Sequence, residues 1–298
     1  SYLYAKSDGT FMRVQYGSKI DGLLVEYYDE DYNLMGHKIV SGELPIFGGF
    51  YATDNYYYVV TGQENPEASD VVDVYRITKY DTDWNKIKSV NLSNCNTTVP
   101  FYAGSCRMDM SGKYLVIRTS HKMYSGHQSN LTMEVNVNTM TITDSFTQVM
   151  NYEYGYVSHS FNQFVKLDNN KIVSIDHGDT YPRCVALIKY PTDISTGTFQ
   201  SKACQMINVM RFAGEAGNNT TGASVGGFEI SDSKYIVAGN TVVQNDNFEN
   251  AVTRNIFVAA VDKSTSEVST TLITGYSEGE QTTTTPQMVK ISRDKFMI

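Results

Sequence analysis

The chain has 298 residues, is rich in Tyr (22) and Phe (13), holds only 6 Pro, and carries a formal charge of −8. An acidic balance with no clustered Lys and Arg excludes sequence-blind nucleic-acid binding, which needs a basic surface to neutralise phosphates. No apolar run approaches the ~18 to 20 residues that span a bilayer as a helix, so no membrane span is expected. Aromatic and Thr-rich sequence with few blocks of helix formers fits pleated, half-buried surfaces joined by polar turns, and so an all-β protein.

Taken in chain order, one motif recurs: a tight polar turn followed by a β-rich run. The copies are Ser7-Asp-Gly-Thr-Phe11, Thr53-Asp-Asn-Tyr-Tyr57, Met110-Ser-Gly-Lys-Tyr114, Asp168-Asn-Asn-Lys-Ile172, Ser231-Asp-Ser-Lys-Tyr235 and Ser292-Arg-Asp-Lys-Phe296. Aligning Thr10, Tyr56, Lys113, Lys171, Lys234 and Lys295 gives intervals of 46, 57, 58, 63 and 61 residues. Each turn joins two short strands, and a second hairpin follows, with strands predicted to start over 23–28, 74–80, 131–137, 184–190 and 256–261. Two hairpins per unit at this period predict a β-propeller of four-stranded blades. About six repeats are visible. The sixth stops inside its second strand, at Phe296-Met-Ile298, so the expectation is a single propeller domain over 1–298, truncated at the C-terminus, whose intact form has up to seven blades.

In a propeller, the loops joining strands two and three share a face with the segments leading into strand one. The turns within the first hairpins are short and interchangeable, whereas 62–73, 119–130, 176–183 and 239–254 are long and individual. Loops held by a rigid scaffold are where binding and catalysis concentrate. That face collects Gln63; Arg118 and His121; His159, Ser160 and Gln163; Asp176, His177, Asp179 and Arg183; and Asn240 and Gln244, the ligand-binding candidates. Gly48-Gly49 and Gly226-Gly227 beside them let a ligand or other backbone approach closely. In the densest group, a histidine beside two carboxylates could serve as a general base and Arg183 could hold a carboxylate or sulfate. The competing structural reading has Asp176 and Asp179 accepting backbone hydrogen bonds, with Arg183 tying down its loop.

Metals are weakly indicated. Asp176 and Asp179 are the calcium candidates, since calcium takes several hard oxygens, but two carboxylates alone make a thin site. Asp29-x-Asp31-x-Asn33 and Asp81-x-Asp83-x-Asn85 lack the glycine and glutamate of a calcium loop, and their repetition favours Asx turns. No cofactor is expected otherwise. Cys95, Cys106, Cys184 and Cys204 lack metal or redox spacing; they fit either two disulfides, 95 with 106 and 184 with 204 across a hairpin centred on Ile194, or four buried thiols. The runs Tyr56-Tyr-Tyr58 and Tyr152-Glu-Tyr-Gly-Tyr156 are core packing by alternation, or sugar-stacking platforms where exposed. No complete catalytic motif is present, and a Ser160, His177 and Asp179 triad can be written only because serines are plentiful.

The segments Val157-Ser-His-Ser-Phe-Asn-Gln-Phe164, Asp176-His-Gly-Asp-Thr-Tyr-Pro-Arg183, Val225-Gly-Gly-Phe-Glu-Ile-Ser-Asp232 and Arg254-Asn-Ile-Phe-Val-Ala-Ala-Val-Asp262 resemble uncharacterised secreted or surface propeller-like proteins of gut clostridia and related Firmicutes. The resemblance runs over nearly the whole chain. It implies an extracellular or cell-surface location and neighbouring surface-attachment or Ig-like modules, and it brings no activity with it. The Asp-box of sialidases is absent; Ser7-Asp-Gly-Thr-Phe11 is only a loose echo of it. The function expected is therefore a monomeric binding module for a glycan or surface protein rather than an enzyme, the alternative being a carbohydrate-active hydrolase or lyase on the same face, with His159 and Arg118 assisting Asp176, His177, Asp179 and Arg183.

Overall fold

The computed structural model describes every residue except 18, 19, 21, 153, 154, 180, 197, 198 and 200–203. The described residues contain strands and turns and no helix. Blade one is β1 (Tyr2–Ala5), β2 (Phe11–Tyr16), β3 (Leu23–Tyr28) and β4 (Leu34–Val40), and blade two is β5 (Ile46–Ala52), β6 (Tyr57–Gly62), β7 (Tyr75–Tyr80) and β8 (Lys86–Leu92). A short β9 (Val99–Pro100) precedes blade three: β10 (Arg107–Ser111), β11 (Tyr114–Lys122), β12 (Gln128–Asn136) and β13 (Thr141–Phe146). A small hairpin, β14 (Met150–Tyr152) and β15 (Gly155–Val157), leads into blade four: β16 (Ser160–Asp168), β17 (Lys171–Gly178), β18 (Cys184–Asp193) and β19 (Gln205–Arg211). Blade five is β20 (Ala223–Ile230), β21 (Lys234–Thr241), β22 (Asn255–Asp262) and β23 (Val268–Leu272), and a two-stranded sheet, β24 (Val289–Ser292) and β25 (Lys295–Met297), stands at the sixth motif. Each blade is an antiparallel meander in chain order.

The core lies between blades. Both faces of a blade are covered, so alternate residues of one strand serve two different interfaces. In β6, Tyr57 and Val59 pack against Met12, Val14 and Val25 of blade one, while Tyr58 and Val60 pack against Leu115 and Ile117 of blade three. In β11, Val116 faces the other way, toward Ile172, Ala186 and Ile188 of blade four. In β17, Val173 and Ile175 join Val225, Val237 and Phe257 of blade five. Four apolar layers therefore clamp five blades in series. Fully burying a side chain of this size contributes roughly 1.5–3 kcal/mol, so the layers, rather than the strand edges, hold the molecule together.

The first strands of successive blades approach one another and mark the axis. Their pairing slips by one residue at the same place in three blades, around Gly48, Phe161 and Gly226, which kinks each first strand just as it begins. The turns between third and fourth strands are the Asx turns that their repetition indicates. Asp29 Oδ1 accepts the N–H groups of Asp31 (3.0 Å) and Asn33 (2.8 Å), and Asp81 Oδ1 accepts those of Asp83 (3.0 Å) and Asn85 (2.8 Å). Tyr32 and Trp84 sit between them at positive φ, 65° and 63°.

Three expectations need correction. The segment 119–130 is not a long loop: Thr119–Lys122 continue β11 and Gln128–Asn130 begin β12, so the hairpin runs on and turns over 123–127 only. Asp176 and His177 likewise lie inside β17 rather than in a loop. The β18–β19 hairpin pairs Lys189 with Gln205 and Cys184 with Arg211, a register that does not centre on Ile194, so Cys184 does not face Cys204. All four cysteines are buried, and Cys95 and Cys106 are free thiols within one apolar layer. Tyr57 and Tyr58 are both core residues, whereas Tyr56 is 38% exposed. Tyr154 of the second aromatic run lies outside the described residues.

A candidate binding face and its polar groups

The loop face carries the candidate residues, and the structure divides them into interblade staples and loop anchors. Arg118 of β11 and Asp176 of β17 are wholly buried between blades three and four. Arg118 Nε donates to Asp176 Oδ1 (3.1 Å), a second guanidinium N–H donates to Oδ2, and Nη1 donates to Thr132 Oγ1 (2.7 Å) and Tyr190 OH (2.9 Å). Burial pushes the Asp176 carboxyl up and the guanidinium pulls it back; for Arg118 burial alone would favour the neutral form, but Asp176 and Tyr190 keep it charged. The pair is thus bidentate and enclosed, with both acceptor oxygens used.

Gln163 is the second staple. Its Nε2 donates to Ser160 Oγ (2.8 Å) and Asn130 Oδ1 (3.2 Å), while Oε1 accepts the Ser105 N–H (2.8 Å). His121 and His177 are buried singly: His121 Nδ1 meets Thr97 Oγ1 at 2.6 Å, and His177 Nε2 meets Thr221 Oγ1 at 2.9 Å. Burial lowers the two rings to about 3 and about 4, with Arg254 adding to the effect on His177. Both are neutral at physiological pH. His177 is also packed edge-on against Phe161 and Phe212 and, among the described residues, meets no carboxylate, so Ser160, His177 and Asp179 are not assembled as a triad.

The anchors hold loops. Asp179 accepts Arg183 Nη1 (2.8 Å) and the Gly217 N–H, and Arg183 also donates to the carbonyls of Ala213 (3.2 Å), Thr220 (2.8 Å) and Asn218. This fixes 213–220, the segment leading into blade five. Gln244 secures it from the other side through the Ala213 N–H (2.8 Å) and the Thr221 carbonyl (2.9 Å). Asn240 accepts Ser224 Oγ (2.7 Å) and donates to the Thr283 carbonyl (2.9 Å), and Gln63 donates to the Asp73 carbonyl within its own loop (2.8 Å). His159 is the one candidate histidine left partly open. Its side chain is 30% exposed, its φ is 46°, and its Nδ1 stands 3.6 Å from Asp179 Oδ2, too far for a hydrogen bond.

Asp176 and Asp179 are therefore committed to different arginines and do not converge. Among the described residues no group of three His, Cys, Asp or Glu side chains is arranged to hold a metal ion. The glycine pairs are approached by protein rather than left open. A Cβ on Gly48 would meet the Phe101 ring, one on Gly49 the Cys106 carbonyl (3.2 Å), one on Gly226 the Pro286 carbonyl, and one on Gly227 the Met288 side chain. Each pair seats the segment that leads into the next blade.

Sequence reasoning missed the opening that this packing leaves at the axis. A cleft of about 430 Å³ is lined by Ser1 and Tyr2, by Ile46, Phe47 and Gly48 at the start of β5, by Pro100 and Phe101, and by 104–107 at the start of β10. Phe101 (φ 56°) forms one wall, edge-on to Tyr75 at 5.4 Å, and Gly62 leaves room for it, since a Cβ there would lie 2.9 Å from its ring. Phe47 forms another wall, stacked on Tyr16 at 5.5 Å. The signal in the sequence was Gly48 and the aromatic neighbours of the first-strand starts, not the polar loops.

No family profile matches the chain, and no curated protein matches it. Solved structures do. A Hadza microbial sialidase aligns at a TM-score of 0.50 and 9% identity, covering 91% of this chain and 57% of its own. The chain is a β-propeller. A member of the DUF4221 family from Bacteroides vulgatus aligns at 0.48 and 11% identity over 92% of this propeller and 81% of its own chain. The xyloglucan PUL protein GH43B of Bacteroides ovatus aligns at 0.41 and 9% identity over 78% and 41%. The propeller thus spans about two fifths of the Bacteroides ovatus protein and just over half of the sialidase, and what it shares with them is the fold.

Proposed function

We propose that this propeller is an extracellular or cell-surface binding module that meets a glycan or protein ligand on the face of the lead-in segments and second-to-third-strand loops. The observation that carries this reading is the axial cleft, an aromatic-walled opening within the size range of small-ligand sites. The groups that would perform acid–base chemistry are mostly enclosed and paired. Arg118 is committed to Asp176 and Arg183 to Asp179, and the neutral His177 is committed to Thr221. A propeller with its polar residues spent on blade contacts and an open cleft at the starts of β5 and β10 suits holding a ligand better than transforming one. The sialidase of the same fold makes glycans the first class to screen.

The test is a glycan-array screen of the full chain, with and without calcium, followed by product analysis on any sugar retained. Retention of a defined glycan with no product supports the binding module. Turnover would replace it with the carbohydrate-active alternative, and retention of none would move the ligand to the protein class.

A further inference from the structure

One cation in the cleft stands apart from the staples and anchors. Arg107 opens β10, and among the described residues it makes no ion pair and no hydrogen bond; its Nε is buried without an acceptor. Its guanidinium instead lies over the Phe164 ring, 4.8 Å from the centroid. The two arginines most deeply enclosed between blades are satisfied differently, Arg118 by Asp176 and Arg183 by Asp179. The nearby acid, Asp109, is already used: it accepts the Leu167 N–H (2.7 Å) and faces Tyr51 OH (3.5 Å). Lys166 is taken by Glu229 at 3.1 Å. The fold thus places a guanidinium, held over the Phe164 ring, at the edge of an opening in which no carboxylate among the described residues pairs with it.

Building on the binding-module reading, we propose that the axial cleft takes an acidic sugar and that Arg107 holds its carboxylate or sulfate group. A guanidinium matches either anion bidentately. Phe47 and Phe101 supply flat apolar walls for the sugar ring. The first strands β5 and β10 pair on one side only, so their other edges present backbone N–H and C=O groups toward the axis for hydroxyls. A volume of about 430 Å³ is enough for one or two pyranose rings.

The experiment titrates the full chain, by calorimetry, with a glucuronate-containing disaccharide, its neutral glucose counterpart, a sulfated galactose disaccharide and a triglutamate peptide. Wild type is expected to bind one or both acidic saccharides and to bind the neutral one at least about tenfold more weakly, as a lost hydrogen bond to a charged group implies. Which acidic probe binds tells carboxylate from sulfate. Arg107→Gln should lose the acidic sugar by about the same factor, and Arg107→Lys should recover part of it through charge alone. Equal affinity for acidic and neutral saccharides overturns the proposal on wild type, with no variant needed. So does a folded Arg107→Gln protein that keeps its affinity, or a preference for triglutamate. A neutral glycan retained on the array, with Arg107→Gln unaffected, would overturn the acidic-sugar inference and leave the binding module standing.

Discussion

The buried histidines set how the molecule meets acid. His177 has its proton affinity lowered to about 4 and His121 to about 3, against about 6.5 in the unfolded chain. The unfolded state therefore takes up protons first. The stability these rings contribute is complete above about pH 6.5 and is lost as pH falls toward about 4 and about 3, at about 1.4 kcal/mol per pH unit for each ring. Urea midpoints measured from pH 7 to pH 4 should fall, and His177→Asn should flatten the slope; an unchanged slope would mean the ring titrates freely in the fold. The thiols behave in parallel. Burial raises Cys95 to about 11 and Cys106 to about 12, so both should resist iodoacetamide in the native protein and label once urea is added, which peptide mass spectrometry resolves by site. At this scale the sequence was a poor guide. Histidine, arginine and aspartate look alike whether they serve ligand or scaffold, and only burial separates the two.

Between elements, the decisive fact is that equivalent repeat positions touch. Arg118 and Asp176 both stand five residues beyond the aligned lysines of their motifs, and Ser105 with Gln163 and Asp109 with Leu167 share the same separation of 58. The repeat alignment held this information; reading the residues as members of a shared site concealed it. Removing one partner leaves an enclosed charge, so Asp176→Leu alone should cost about 3–5 kcal/mol, while Arg118→Met with Asp176→Leu should recover most of it. Chemical denaturation of the single and double variants decides this; additive losses would contradict the pairing. Gly48→Ala and Gly226→Ala should also destabilise, by about 1–3 kcal/mol from overpacking, with Gly226 the worse because its Cβ meets a backbone carbonyl rather than a ring able to shift. The β11–β12 extension escaped the sequence because 119–130 is polar apart from Met123 and Tyr124. It is held by pairing with β9 and by buried side chains, not by an alternating apolar pattern.

At the scale of the molecule, the turn motif and its period were enough to foresee four-stranded blades, because each unit repeats one local problem, covering both faces of a short sheet, and each solves it against its neighbour. The binding face is less legible, since a cleft at an axis is made by several units together and no single segment encodes it. Its charge is also unlike that of the whole: the chain carries −8, yet the cleft holds an arginine with no ion pair among the described residues. An acidic ligand would approach against the overall field, and added salt should screen that repulsion and the Arg107 attraction together. The account's central claim is where the ligand sits, and hydrogen–deuterium exchange of the full chain with and without a retained ligand tests it most directly. Protection is predicted at 46–48 and 100–107, on the axial cleft. Protection confined to the turns at 7–10, 29–33 and 81–85, on the opposite face, would contradict it.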